Sequence, residues 1–192
     1  MTGRSRRRTR LVGSLLGLAA LAATVPAANA ATSSANITVG SGALTLATTN
    51  FAAANAALTG AAQTISTNPT APWTATDARG TGDPWTVVAS ATDLVSAGTP
   101  DRVIPSANLA ITTGTVTAVG ASDPATGITG VSGSAFTVPT GAGQTDVALL
   151  SATANHRGSY DFSPQLDITV PATALASYPG VPYTSTITLT IS

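Results

Sequence analysis

The chain has 192 residues, carries no formal net charge and contains no cysteine. Without cysteine, disulfide bonds and thiolate metal sites are excluded. With a single histidine and no glutamate, the chain also lacks an ordinary donor set for zinc, and we expect no cofactor.

Residues 1–30 have the pattern of an export signal. A basic start is followed by an apolar run over residues 11–23 and by the small residues Ala28, Asn29 and Ala30, which form an AxA cleavage site. The alternative, a transmembrane helix, needs about 20 apolar residues, and Gly13, Ser14 and Gly17 interrupt this run. We therefore expect cleavage after Ala30 and no transmembrane anchor in the mature protein, with the Sec and twin-arginine routes both open.

Removing the signal changes the charge of the chain. Five of its eight basic residues precede Ala30, and the other three, Arg79, Arg102 and Arg157, face eight aspartates, so the mature net charge is about −5. The mature chain has no basic patch to neutralise phosphates, which argues against nucleic acid as a partner. Anionic polymers would not attract it electrostatically either, so binding to a polymer of that kind would use stacking and neutral hydrogen bonds.

The first half of the mature chain predicts short strands. An opening hairpin or a bulged strand is predicted from apolar alternation around residues 40–42, with Ile37 and Val39 on one side and Leu44 and Leu46 on the other. Residues 51–62 (FAAANAALTGAA) favour a loop with a strand, because Gly60 interrupts them and no charged face supports the alternative, a helix.

A polar turn separates two further strands. Gly80 and Gly82 allow positive φ for a tight reversal, so residues 73–77 and 85–90 are predicted to pair as a hairpin. Period-two geometry then places Trp85, Val87 and Ala89 on one face of the second strand.

The second half of the mature chain also predicts strands only. Strands are expected on either side of Pro105 within residues 102–112, and a Gly- and Ser-rich loop over residues 120–134 separates strands at 113–118 and 135–138. Three more strands follow, and they cover residues 146–150, 166–170 and 187–191. About ten short strands with regular turn signals indicate an all-β fold, a single antiparallel β-sandwich over residues 31–192.

Two motifs resemble those of the WxL family of bacterial cell-surface domains. Residues 77–87 are similar to its DxRGxG-like turn followed by Trp, any residue and Leu, with Val87 in the Leu position. Residues 183–191 (YTSTITLTI) are similar to its closing YxxxLTWTL strand, with Leu189 in place of the second tryptophan. The segments GSYDF and LDITVP lie between them in the order of the family, and the likeness covers roughly residues 35–192.

The resemblance implies a secreted, noncatalytic β-sandwich of the Gram-positive cell surface that associates noncovalently with peptidoglycan and assembles with other surface proteins. The chain ends in a strand with no sorting motif, so we expect no covalent anchoring. Two alternatives stay open: a structural or protein-binding module without glycan binding, and a secreted hydrolase. The binding candidates are the motif residues and the other aromatic side chains, whose flat faces can stack on sugars: Trp73, Trp85, Val87, Tyr178 and Tyr183.

Catalysis and calcium binding have weaker signals. His156 lies near Ser159 and Asp161, but all three fall on one short segment without the elbow motif of a Ser-His-Asp hydrolase, so a loop histidine is favoured. Two aspartate pairs, Asp77 with Asp83 and Asp93 with Asp101, contain hard oxygen ligands for calcium. Their spacing fits no known calcium loop, and aspartates that bond their own turns, with Asp77 paired to Arg79, are favoured.

Overall fold

A computed structural model describes residues 36–136 and 146–192. The predicted signal at 1–30 lies outside the described residues, as does Val138 of the strand expected at 135–138. The described residues contain fourteen strands and one 3-10 helix. The elements are β1 (Leu44–Ala47), β2 (Gln63–Thr67), β3 (Trp73–Asp77), β4 (Trp85–Ala91), β5 (Leu94–Ser96), β6 (Arg102–Ile104), η1 (Ser106–Asn108), β7 (Leu109–Thr112), β8 (Val116–Val119), β9 (Ile128–Gly130), β10 (Ser134–Ala135), β11 (Val147–Ala152), β12 (Gly158–Phe162), β13 (Gln165–Val170) and β14 (Ile187–Ile191).

Every strand pair is antiparallel, and the predicted all-β, sandwich-like class is confirmed. The first sheet has the order β1-β3-β12-β8, the second β14-β4-β11-β9, and the third β10-β7-β13-β2; β5 and β6 form a separate pair. Among the described residues, no helix is long and apolar enough to cross a membrane.

Period-two alternation explains the burial pattern of β4, an inner strand of the second sheet. Alternate residues of β4 are buried, and Trp85 and Val87 are at most 1 % exposed. The Trp85 ring lies 5.9 Å from the ring of Tyr160 on β12, so this contact joins the second sheet to the first. β14 alternates as predicted, with Ile187, Leu189 and Ile191 half-buried.

The predicted hairpin between residues 73–77 and 85–90 is wrong, although both strands exist. β3 pairs with β1 and β12, whereas β4 pairs with β11 and β14, so the two strands belong to different sheets. The polar turn is therefore a corner between sheets. Its glycines have the positive φ that the reversal requires, +77° at Gly80 and +72° at Gly82.

Two other local predictions need correction. Residues 36–43 contain no strand, and β1 pairs with β3 instead of forming an opening hairpin. The Gly- and Ser-rich loop at 120–134 contains the short strand β9, whose three residues pair with β11 and are too few to show alternation. Residues 51–62 form the predicted loop and no helix, but the strand predicted within them is absent: the segment has only an isolated bridge, at Phe51.

Candidate functional site

The two tryptophans are core residues. Trp73 is 2 % exposed, and its ring makes edge-to-face contacts with Phe51 and Phe162 at centroid distances of 5.4 and 5.9 Å. Its indole nitrogen donates to the Thr49 carbonyl at 2.8 Å. The indole nitrogen of Trp85 is also satisfied by a backbone carbonyl, as expected for a buried polar atom. The structure thus places neither indole at the surface for stacking on a sugar.

Tyr178 and Tyr183 are partly exposed and lie near Arg102. The guanidinium of Arg102 stands 3.8 Å from the centre of the Tyr178 ring, a cation–π arrangement. The hydroxyl of Tyr178 donates to the Pro100 carbonyl at 2.9 Å, and that of Tyr183 to the Leu175 carbonyl at 3.0 Å. These bonds fix both rings against the surface.

Arg102 and Tyr183 also line one small cleft, of about 250 Å³. Val103 and Leu175 contribute apolar walls and are 49 % and 60 % exposed. We call this site, with Tyr178 under the guanidinium, the tyrosine cleft. Exposed aliphatic side chains beside tyrosine and arginine are the composition typical of binding surfaces.

Arg102 differs from Arg79 and Arg157 in having no ion pair among the described residues. Arg79 pairs with Asp77 and Arg157 with Asp123, each at 3.0 Å, whereas no carboxylate of the described residues lies within ion-pair distance of Arg102. Its guanidinium donates to the Ala176 carbonyl and keeps its charge available to a bound anion. The residue pattern did not identify Arg102 as a binding residue. The feature that could have identified it is that only three basic residues follow the predicted export signal.

The Asp77 corner is an ion pair, not a calcium loop. Arg79 donates through its side chain to both carboxylate oxygens of Asp77, and through its backbone to one of them, all at 3.0 Å. The side-chain hydrogen bond from Arg79 lowers the pKa of Asp77 below its usual value, against the opposing effect of burial. The predicted pairing of Asp77 with Arg79 is confirmed.

Two of the other aspartates considered for calcium accept hydrogen bonds from backbone amides. Asp93 accepts from the Ser106 backbone at 2.7 Å, and Asp101 accepts from the Gly98 backbone at 2.8 Å. Within residues 36–136 and 146–192, no group of three or more acidic or histidine side chains is placed to hold a metal ion.

The three residues considered for a hydrolase triad do not bond one another. Both ring nitrogens of buried His156 lie near backbone carbonyls, Thr153 at 3.0 Å and Thr126 at 2.8 Å. Ser159 bonds Thr76 and Asp161 accepts from Thr74, both across the β3–β12 pair. The histidine holds a loop, and the other two side chains bond across the sheet.

In comparisons with protein-family models, with curated proteins and with solved structures, the chain matches none. The fold and the site define its class: an all-β protein of packed antiparallel sheets with a small surface cleft built on tyrosine and arginine.

Proposed function

We propose that this chain is a secreted, noncatalytic protein of the bacterial cell surface that associates noncovalently with peptidoglycan through its WxL-like domain. The observation that carries the proposal is the tyrosine cleft, the one place where a partly exposed aromatic ring and an arginine without an ion pair, among the described residues, line the same depression. The resemblance to WxL domains and the predicted export signal support the location.

The chemistry of the cleft suits a wall fragment. A tyrosine ring can stack on a sugar, and exposed aliphatic groups such as Val103 and Leu175 can contact N-acetyl methyls. A guanidinium binds a carboxylate such as those of the peptide stems. Because the mature chain is acidic overall, the guanidinium of Arg102 would supply the electrostatic attraction to such a carboxylate.

The test is cosedimentation of the exported protein with insoluble peptidoglycan. We expect the wild type to pellet and Tyr183→Ala and Arg102→Gln to stay in the supernatant. Val119→Ala is the matched control, since this exposed residue lies on β8 of the first sheet. If both cleft variants fold, by circular dichroism, and pellet as the wild type does, the cleft is not the wall-binding site.

A surface module that binds another protein is the second candidate. The burial of both tryptophans favours it, because the remaining exposed cluster of Val103, Leu175 and Tyr183 resembles a protein contact as much as a sugar platform. Capture on purified wall, compared with capture on wall-stripped membranes, separates the two candidates. Retention only by the membranes, lost in Leu175→Asp, would assign a protein partner.

A further inference from the structure

A second depression, of about 760 Å³, lies between the third sheet and the edge strand of the second. Ile65, Leu166 and Ile168 form one wall, and Ile187 and Leu189 of β14 form another. Residues 48–58 line its outer side, and we call residues 52–58 of this segment the alanine strap. The volume falls within the range of roughly 300–1,000 Å³ that small-molecule sites occupy.

The strap covers this cavity without filling it. Five of its seven residues are alanines, each with only a methyl group to place, and all seven are exposed. Ile65, Ile168, Ile187 and Leu189 consequently remain half-buried. Protein interiors normally pack to the density of organic crystals and leave few voids larger than a water molecule. A space of about 760 Å³ bordered by half-buried isoleucines is therefore an open depression and not part of the packed core.

The cavity lining is uncharged. It contains no aspartate, arginine or histidine, and its polar side chains are hydroxyls, amides and one phenol, contributed by Thr, Asn, Ser and Tyr. An ionised group would lose its hydration there without gaining a partner, which is strongly unfavourable. The lining thus selects for a molecule that is apolar along its length and neutral at its polar end.

The strap is held by few bonds. Thr67 donates to the Ala52 carbonyl and Gln63 to the Ala57 carbonyl, each at 2.7 Å, so the strap runs antiparallel along the outer edge of β2. In the described part of the chain, residues 53–57 make no backbone hydrogen bond to β2. This arrangement covers the backbone edge of β2 while leaving the apolar side-chain wall accessible, which suits a hydrocarbon better than an added β-strand.

We propose that the cavity under the alanine strap binds an uncharged hydrocarbon chain, with a neutral polar end such as a hydroxyl or ester. The methylene groups of the chain lie between Ile65 and Ile168 of the third sheet and the apolar side chains of β14. The neutral head lies among the hydroxyl and amide groups of the lining. The site has its own sheet walls, because neither Ile65 nor Leu189 lines the tyrosine cleft, and the two depressions meet at Ile104, Leu175 and Tyr183, which line both.

The test uses N-phenyl-1-naphthylamine, a neutral apolar fluorophore, with the exported protein. We expect saturable binding of one probe per chain and displacement by 1-dodecanol. Dodecanoate at about pH 8 should compete about tenfold less well or worse, because its carboxylate finds no partner in the lining. Equal competition by the two, or no saturable probe binding, would overturn the proposal.

Two variants locate the probe. Leu189→Trp and Ile65→Trp fill the cavity from opposite walls and should weaken probe binding by about tenfold or more, because each ring displaces two or more buried methylene groups of ligand. Thr188→Trp is the matched control, since Thr188 lies on the outer face of the same strand. Folded Trp variants that bind as the control does would place the probe elsewhere. If a peptide with alternating apolar residues displaced the probe and dodecanol did not, the ligand of the cavity would be an added strand instead.

These outcomes are independent of wall binding. Leu189→Trp should still cosediment with peptidoglycan, and Arg102→Gln, whose residue lines the tyrosine cleft but not the cavity, should retain the preference for dodecanol over dodecanoate. A failure of the hydrocarbon site therefore leaves the proposed surface function untouched, and the reverse holds.

Discussion

The indole nitrogen of Trp85 donates a hydrogen bond of 3.1 Å to the backbone carbonyl of His156, 71 residues further along the chain. The bond fastens the first residue of β4 to the loop that His156 holds. Trp85→Phe removes the donor and part of a fully buried ring, so we expect a loss of about 2–4 kcal/mol in the free energy of unfolding. Chemical denaturation measures it, with Val119→Ala on the exposed face of β8 as control. An unchanged midpoint would contradict this role.

The Asp77–Arg79 pair predicts a stability change in acid. Because the pKa of Asp77 is lowered in the folded state, its contribution is present above the unfolded value of about 3.9 and is lost as pH falls through the folded pKa. Wild type should therefore melt several degrees above Asp77→Asn near neutral pH, with the gap narrowing below about pH 4. Arg157 lowers the pKa of Asp123 in both proteins, so that effect cancels. A gap that does not change with pH would contradict the prediction.

Gly130 lies too close to Thr113 to accept a side chain, whereas Gly40 has open space around it. A Cβ atom at Gly130 would lie 2.5 Å from the Cβ of Thr113, which is buried and bonded to the Leu149 carbonyl at 2.6 Å. Gly130→Ala should cost about 1–3 kcal/mol because Thr113 cannot move freely. Gly40→Ala, with no atom within 4 Å of the new methyl, is the matched control. Thermal melts of the two variants should differ by several degrees.

Loss of the side-chain bonds that hold the alanine strap should open the strap without unfolding the protein. Gln63→Ala combined with Thr67→Val removes both side-chain bonds that hold the strap to β2. Protease cleavage within residues 52–58 should become faster, while the melting temperature changes little, because the strap buries almost no side chain. Thr188→Val is the control, and equal cleavage rates in the two proteins would mean that other contacts hold the strap.

The predicted export signal at residues 1–30 gives an expected start for the mature chain. Mass spectrometry of protein collected outside the producing cells should find Ala31 as the first residue, because the AxA site ends at Ala30. Retention of residues 1–30 in exported protein would contradict the assignment.

Local patterns predicted strands well and partners poorly. Alternation of large and small side chains specified β3, β4, β13 and β14, since a half-buried strand requires it. The same pattern does not identify the neighbouring strand. The turn at Gly80 and Gly82 therefore led us to predict a hairpin, whereas the chain crosses there from one sheet to another. Strand partners depend on contacts between residues far apart in the chain.

The binding residues were only partly predictable for the same reason. Tyr178 and Tyr183 could be chosen by side-chain type, but Arg102 joins them only because β6 lies near the loop before β14. The burial of Trp73 and Trp85 follows from their size in a chain of small residues, which has few other groups able to fill a core. The cavity under the strap was not foreseen, since its walls come from segments scattered over residues 48–189.

The strap also lies along an edge of the sheet where another copy of the chain could pair. β2 is the last strand of the third sheet, and an uncovered outer edge there would offer free amide and carbonyl groups to an identical chain. Crowded molecules could then stack edge to edge and precipitate. Residues 52–58 lie along that edge without extending the ladder, so an identical chain could pair with β2 there only after the strap moved away.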